Sequence, residues 1–89
     1  MLYNKRAWKR KRAIILRRDK YLCRNCKRYG RKVGATTVHH MIPLSVDSSL
    51  AMCSNNLLSL CNKCHEKMHD RTGDELTALG AWWAERVKV

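Results

Sequence analysis

The sequence has no long run of apolar residues that could serve as a targeting or membrane segment. In its first third a single apolar stretch, Ala13-Ile14-Ile15-Leu16, interrupts a series of charged residues. Four residues are far too few for the apolar region of a signal peptide or for a membrane span. We therefore expect the protein to stay in a reducing cytoplasm, where cysteines bind metals more often than they form disulfides.

Acidic residues are scarce in the same third of the chain. Residues 1–32 contain fourteen of the nineteen Lys and Arg residues and one acid, Asp19, in a chain whose net charge is +12. Such a field attracts polyanions, and the release of phosphate counterions makes binding tight and sensitive to salt. The charge therefore favours a nucleic acid as the partner, with an anionic membrane surface as the competing interpretation.

Glycine and proline, which interrupt regular structure, are absent from residues 4–19. This segment is rich in Lys, Arg and Ala and has Trp8 and Ile15 near one side. This composition and spacing predict a helix. Short strands are predicted at residues 35–40 and 57–60, where β-branched or leucine-rich runs are bounded by turn residues. The residues between the strands predict a largely irregular connection.

Two further helices are predicted after the second strand. Asn62 can cap a helix that runs to about residue 71, and Thr72 with Glu75 fits the capping box of a last helix. Trp82 is expected to cover the first helix. The last helix should bury a stripe with helical spacing, formed by Leu76, Leu79, Trp83 and Val87.

The cysteines compensate for the small size of the chain. An 89-residue domain has a modest core and usually needs a metal, a disulfide or a partner. Cys23-x-x-Cys26 and Cys61-x-x-Cys64 can bring four thiolates to one tetrahedral zinc ion, and such a closed site is structural. A redox pair would need a βαβ surround, which the sequence lacks. Cys53 is interpreted as a small apolar filler.

Four histidines accompany the cysteine pairs. His39 and His40 are adjacent on the first predicted strand, so their side chains point to opposite faces. His65 and His69 are four residues apart on a predicted helix and share a face. Two helix histidines and one strand histidine can form a metal site with open positions, as catalysis requires. The other strand histidine is then free to take a proton from water.

Two other motifs overlap these residues. The segment 61–65 matches the C-x-x-C-H of c-type haem attachment, which usually implies export and leaves the first cysteine pair unexplained. The segment 65–69 matches the H-E-x-x-H of zinc proteases, which needs a further ligand and a larger scaffold. Because the protease interpretation also leaves His39 and His40 without a role, both motifs are weak interpretations.

Taken together, the residues resemble the HNH endonuclease family, in the form that has a zinc-binding cysteine quartet. The resemblance covers residues 23–69, through the two cysteine pairs, the segments 38–44 and 56–61, and His65 with His69. The basic N-terminal helix with its tryptophan is similar to small phage-encoded members.

The resemblance implies an α+β fold with a treble-clef-like ββα-metal core, a structural Cys₄ zinc site and flanking helices. One domain would then span residues 1–89. Its parts would be a basic N-terminal helix (1–22), a zinc-closed core (23–71) and a C-terminal helix (72–89).

The resemblance also implies the roles of the site residues. His39, His65 and His69 would hold a divalent ion, His40 would be the general base, and Asn56 would brace the loop and orient His40. Mg²⁺ or Mn²⁺ is the expected catalytic ion, with Ni²⁺ and Zn²⁺ as alternatives. Many family members have an aspartate where this chain has His39, which removes a negative charge from the ligand set.

The implied function is hydrolysis of phosphodiester bonds in double-stranded DNA by a monomer with no membrane partner. Small phage members often act with the large terminase in genome packaging, so that role is the expectation here, with homing and restriction as alternatives. The competing function is a non-catalytic, zinc-stabilised module that binds nucleic acid. That module would explain the charge and the cysteines but not the four clustered histidines.

Overall fold

The computed structural model describes residues 5–69 and 75–87. In this part the helices are α1 (Lys5–Arg18), α2 (Arg24–Arg28), α3 (Asn62–Glu66) and α4 (Ala78–Ala84), and the strands are β1 (Thr37–His40) and β2 (Leu57–Leu60). Two short 3₁₀ turns, Ser48–Leu50 and Ser54–Asn56, lie between the strands. No helix in the described ranges is long and apolar enough to cross a membrane. The predicted α+β architecture of a hairpin with flanking helices is confirmed.

The hairpin separates the molecule into two sides. β1 and β2 pair antiparallel, with His39 opposite Leu58 and His40 opposite Leu57. Because side chains alternate across a strand, the adjacent histidines point to opposite faces, as the sequence predicts. β1 begins at Thr37 rather than at Ala35, whose N–H donates to the Tyr21 carbonyl at 2.8 Å outside the hairpin.

Helix α1 covers the face of the hairpin that carries His40. Ile15 and Leu16 are buried there against Val38 and Leu57, and Trp8 packs on the same cluster. Trp8 and Ile15 are about two helical turns apart, so the predicted apolar side of α1 is the side that packs.

The other face of the hairpin packs against α2, α3 and α4. Leu58, Leu60, Met68 and Trp83 form this core together with thiols of Cys23, Cys26 and Cys64. Of the predicted stripe on the last helix, Trp83 is buried here, and Leu79 and Val87 pack against the cluster. Trp82 also packs on this side, next to Arg28 of α2, so the expectation that it covers the first helix is wrong.

Asp19 connects α1 to both sides. Its carboxylate, whose side chain is 1% exposed, lies 2.9 Å from Arg18 and from Arg24 and accepts the N–H of Ser59 at 3.1 Å. Burial alone raises the pKa of Asp19, but the hydrogen bonds from Arg18, Ser59 and Arg24 outweigh it and hold the pKa below its ordinary value. Asp19 is therefore charged at neutral pH and holds the end of α1 on β2.

The helices after β2 differ from the prediction. α3 ends at Glu66 rather than near residue 71, because Thr77 binds the next carbonyls from outside the helix. Thr77 Oγ1 donates to Lys67 O at 2.5 Å, and Thr77 N donates to Met68 O at 3.0 Å. Thr77 also caps α4, since its Oγ1 accepts the N–H of Gly80. The predicted cap Thr72 lies outside the described residues.

Glycine is required at one position of α4. A Cβ at Gly80 would collide with the carbonyl of Met68. The missing side chain therefore lets α4 lie directly against the chain that leaves α3.

Candidate metal centres and catalytic cleft

Four cysteine thiols meet where α2 and α3 begin. Cys23 and Cys61 each lie one residue before a helix, and Cys26 and Cys64 follow in its first turn. Their sulfurs all lie within 4.8 Å of one another, and no cysteine is in a disulfide. Two similar helix starts thus direct both predicted cysteine pairs to one point.

The spacing of these sulfurs fits a tetrahedral ion. Cys26 Sγ lies 3.6 Å from Cys64 Sγ and 3.9 Å from Cys61 Sγ, and sulfurs bound to tetrahedral zinc are about 3.8 Å apart. Burial raises the pKa of Cys26 to about 12, so its thiolate needs a nearby cation. Asn25 donates to Cys64 Sγ and accepts from Trp83 Nε1 at 3.0 Å, which fixes that sulfur from outside. The cluster is consistent with a zinc site.

Three histidines form a second cluster that can hold a metal. Each of His39, His65 and His69 offers a ring nitrogen within 4.8 Å of the other two. His39 Nε2 and His69 Nδ1 are buried and have no hydrogen-bond partner among the described residues. A buried, unpaired polar atom costs about 1–3 kcal/mol. An ion bound to both nitrogens would remove that cost, so the residues fit a metal.

The protonation of these histidines also suits metal binding. Burial first, and then the neighbouring histidines, lower the pKa of His39 to about 3. Burial likewise lowers the pKa of His65. A neutral imidazole keeps a lone pair for a metal, whereas a protonated one does not. At neutral pH both rings are therefore free to act as ligands.

His69 reaches the cluster from a different element than the one predicted. Because α3 ends at Glu66, His69 lies beyond the helix, in an isolated bridge opposite Leu76. Its ring centroid is 5.1 Å from that of His39 and 6.3 Å from that of His65. The prediction that His65 and His69 project from one helix is wrong, although the structure brings both rings together.

His40 lies on the α1 side of the hairpin. Its Nε2 is 3.0 Å from the carbonyl oxygen of Ala51, and since a carbonyl can only accept, Nε2 carries the proton and Nδ1 the lone pair. Burial lowers the pKa of His40, opposed by this hydrogen bond. The ring stacks on Trp8 with a centroid separation of 5.0 Å and an interplanar angle of 21°.

Asn56 closes the loop between the strands. Its side chain is fully buried, and Oδ1 accepts the N–H of Ile42 at 2.7 Å. Nδ2 donates to Ile42 O at 3.1 Å and to Leu50 O at 3.4 Å. Leu50 precedes Ala51, whose carbonyl binds His40. Asn56 thus holds the loop segment that contacts His40, which is the position expected for a bracing residue.

All four histidines line one cleft of about 360 Å³. The three rings that can hold a metal and the ring of His40 therefore border a common space, which is large enough for a phosphate and water. Two groups that contact His40 were not predicted for the site from the sequence, namely the ring of Trp8 and the carbonyl of Ala51. Trp8 could be assigned to the packed side of α1, but its contact with His40 depends on how α1 docks.

The hairpin, α3 and the two clusters define a ββα domain of the nuclease class. A model of the HNH endonuclease family matches residues 23–71. A "probable HNH endonuclease" of Lactococcus phage SK1 is 33% identical over an alignment of 69 residues, and the match covers 73% of this chain and 71% of the relative. The chain therefore belongs to the HNH endonuclease family.

A solved structure supports the same assignment. The HNH endonuclease of the deep-sea thermophilic bacteriophage GVE2, crystallised with a manganese ion, superposes with a TM-score of 0.68 at 40% sequence identity. The match covers 70% of this chain and 67% of the other. The similarity extends to the fold as well as the sequence, and both relatives come from phages.

Proposed function

We propose that the protein is a metal-dependent DNA endonuclease in which His39, His65 and His69 hold a divalent ion and His40 is the general base. The observation that carries the proposal is the pair of buried, unpaired ring nitrogens on His39 and His69 in the cleft that His40 also lines. A non-catalytic zinc module has no need for these four rings in one cleft.

The ion would polarise the scissile phosphate and stabilise the negative charge on the leaving oxygen. The ligand set holds three imidazoles, which suit Ni²⁺ and Zn²⁺ best, whereas Mg²⁺ prefers oxygen ligands and Mn²⁺ takes both oxygen and nitrogen donors. We therefore propose Mn²⁺ as the activating ion. The manganese ion of the GVE2 relative supports this choice.

His40 would remove a proton from the attacking water. With the Nε2 proton donated to Ala51 O, Nδ1 is the nitrogen that can accept a proton. The lowered pKa of His40 keeps the ring neutral near pH 7, as a base must be. Asn56 would act indirectly, because it holds the loop that carries the Ala51 carbonyl.

The expected substrate is double-stranded DNA. α1 has no acidic residue, and the same helix contributes Trp8 to the cleft, so phosphates bound to α1 would lie close to the catalytic residues. Arg12 is occupied by a hydrogen bond to the Thr36 carbonyl, so we expect the exposed cations of α1 to bind the phosphates. These exposed cations are Lys5, Arg6, Lys9, Arg10 and Arg17. A packaging role beside a large terminase is part of the proposal and is supported by the phage origin of both relatives.

A plasmid assay tests the function. Zinc-loaded protein, freed of other metals, is mixed with supercoiled DNA with and without Mn²⁺ or Mg²⁺, in parallel with His40→Ala. We expect the parent to convert the plasmid to open-circle or linear DNA only with metal, and the variant to lose roughly 10²–10⁴ in rate. Unchanged zinc content and thermal unfolding would show that His40→Ala is folded.

Plasmid that shifts in a gel but stays supercoiled under every metal would overturn the nuclease proposal and favour the binding module. A His40→Ala protein that cuts at the parental rate would instead overturn the assignment of the base alone.

A further inference from the structure

Basic side chains surround a second cleft of about 280 Å³, and none of its lining residues lines the histidine cleft. Its cations are Arg18, Lys20, Arg24, Lys27 and Arg28. Asp19 is the acid among its lining residues, and this carboxylate is 1% exposed and already paired with two of the arginines. Most of the positive charge at this cleft therefore has no acidic partner there.

The thiol cluster does not account for that charge. A zinc ion with four thiolates carries two net negative charges, and Asp19 adds one. Five cations line the cleft, so at least two positive charges are left over. Lys20, Lys27 and Arg28 are exposed, and their side chains form no hydrogen bond or ion pair with another described residue.

Trp82 of α4 extends this surface. The guanidinium carbons of Arg28 and Arg86 lie 3.6 and 3.5 Å from the centroid of the Trp82 ring. Stacking on an aromatic face holds a guanidinium in place while its N–H groups stay available to an acceptor. Arg86 also donates to the Trp82 carbonyl at 2.6 Å and lies 3.9 Å from Glu85. Arg28 is therefore the guanidinium of this pair without an acidic partner among the described residues. Preorganised guanidiniums of this kind match the paired oxygens of a phosphate.

We propose that this surface, lined by Lys20, Lys27 and Arg28 and extended by Arg86, is a second binding site for the phosphates of duplex DNA. The proposal rests on the proposed function, because it takes DNA as the substrate. The site would hold the duplex away from the bond that is cut. The longest dimension of the molecule is 37 Å, so about one helical turn of duplex is long enough to contact both clefts.

The test measures DNA binding by the zinc-loaded protein without added Mn²⁺ or Mg²⁺, as a function of salt. Lys20→Gln/Lys27→Gln is compared with Lys20→Arg/Lys27→Arg, which keeps both charges. Each lost phosphate contact reduces the slope of log K against log[salt] by about 0.9. We expect the Gln variant to lose about two contacts, and the Arg variant to keep the parental slope. Between 50 and 200 mM salt, parental affinity should fall about tenfold more than that of the Gln variant.

A Gln variant with the parental affinity and slope would overturn the second site, even if the parent cleaves plasmid. A parent that binds DNA with the expected slope but never cleaves it would overturn the proposed function and leave the second site standing. Thermal unfolding of all three proteins confirms that the substitutions change the surface and not the fold.

A separate observation concerns the geometry of His40. Its ring is held at Nε2 by the Ala51 carbonyl at 3.0 Å, and its face lies against Trp8 at 5.0 Å and 21°. A hydrogen bond at one nitrogen fixes the direction of that nitrogen but not the plane of the ring, since the imidazole torsion is broad. A nearly parallel aromatic ring fixes the plane. The two contacts together determine where Nδ1 points.

We infer that Trp8 is a positioning residue for His40 and that α1 thereby completes the catalytic cleft. This inference rests on the proposed function, in which His40 is the base. Trp8 does not take part in proton transfer. It keeps the imidazole aimed at the water, and an error of about 1 Å in such an alignment can cost 10²-fold in rate.

Steady-state cleavage by Trp8→Ala and Trp8→Phe tests the inference, with Ile14→Ala as the control because Ile14 is 54% exposed on the same helix. We expect kcat to fall roughly 10- to 100-fold in Trp8→Ala, with KM little changed, and Trp8→Phe to recover most of it. The ring protons of His40 should also lose the ring-current shift caused by the indole in NMR spectra.

A Trp8→Ala protein with parental kcat, while His40→Ala is inactive, would overturn the role of Trp8 alone. A loss in Trp8→Ala that Trp8→Phe does not recover, together with a lower unfolding temperature, would show that Trp8 acts only through stability. If Trp8→Ala and His40→Ala both cut at the parental rate, the assignment of the base is wrong as well.

Discussion

The two clusters that can hold metals are built from neighbouring residues but have different designs. Cys64 and His65 are consecutive in α3, yet Cys64 joins the four thiols and His65 joins the three imidazoles. Four thiols complete a tetrahedron and leave no open position, whereas three imidazoles leave open positions beside a cleft of about 360 Å³. One five-residue helix therefore contributes to a closed cluster that suits folding and to an open one that suits catalysis.

This arrangement makes the three-histidine cluster (the open cluster) depend on the four-thiol cluster (the closed cluster). α3 is too short to be stable alone, and its orientation follows from the thiols at its start. The ring of His65 is aimed at His39 only if Cys61 and Cys64 are held. The dependence does not run the other way, because the thiol cluster needs none of the histidines.

The largest effect is expected from removing one thiol. Cys64→Ser should abolish zinc binding and cooperative unfolding, because the free energy of metal binding is free energy of folding in so small a domain. Cys53→Ser is the matched control, since Cys53 lies outside the cluster, and it should stay folded with one zinc. Metal analysis and circular dichroism measure both. A folded Cys64→Ser protein with bound zinc would contradict the structural role of the thiols.

The next effect is confined to the open cluster. His69→Ala should lose at least about 100-fold in the rate of metal-dependent cleavage. Replacing a residue that only supports a metal ligand already reduces metal affinity or activity roughly 10- to 100-fold. Zinc content and unfolding temperature should stay near the parental values. Glu66→Ala, at an exposed position of α3, should cut normally, whereas the H-E-x-x-H interpretation would make Glu66 essential. Loss of zinc in His69→Ala would mean that the two clusters are not independent.

Local spacing predicted the four thiols and two of the imidazoles, whereas the choice of His39 rather than His40 as the third imidazole came from the resemblance to the family. Two C-x-x-C turns and a pair of adjacent strand histidines fix directions within a few residues. The two strands were predicted from short strand-forming runs, and their pairing in a hairpin was implied by the resemblance. Each of these features depends on contacts that lie near one another in the chain or on a recognisable residue pattern.

The remaining features depend on contacts between distant residues. The end of α3 is set by Thr77, which binds the Lys67 and Met68 carbonyls from ten and nine residues away, so His69 lies outside the helix predicted for it. The stack of Trp8 on His40 follows from the docking of α1. Trp82 was expected to pack against α1 and instead packs against the side chain of Arg28 in α2. Periodicity shows which side of a helix packs but not what it packs against.

A third prediction concerns Asp19, which connects α1 to β2 and α2 and so supports both clusters. Asp19→Asn should lower the free energy of unfolding by about 2 kcal/mol at pH 7, because Arg18, Arg24 and the Ser59 N–H lose a charged acceptor. Since the folded-state pKa lies below the ordinary value of 3.8, the stabilisation is present above that value and is lost as the pH falls through the lowered pKa.

The difference in the free energy of unfolding between the parent and Asp19→Asn should therefore be constant from pH 7 to pH 5. It should disappear only below pH 3.8. Denaturant unfolding of zinc-loaded protein at several pH values measures it. Glu85→Gln, whose side chain is 75% exposed in the parent, is the control and should leave stability nearly unchanged. A difference that disappears above pH 5 would mean that another group titrates.

The smallest effect tests why the two clusters use different donors. The open cluster of the parent has three neutral imidazoles, so we expect Mn²⁺ to support faster cleavage than Mg²⁺. His39→Asp places a carboxylate at the buried position and returns a negative charge to the site, which suits a hard cation. The ratio of rates with Mg²⁺ and Mn²⁺ should rise roughly tenfold in the variant. Zinc in the thiol cluster should not change, because its four sulfurs are untouched. An unchanged ratio would show that the choice of ion is not set by the residue at position 39.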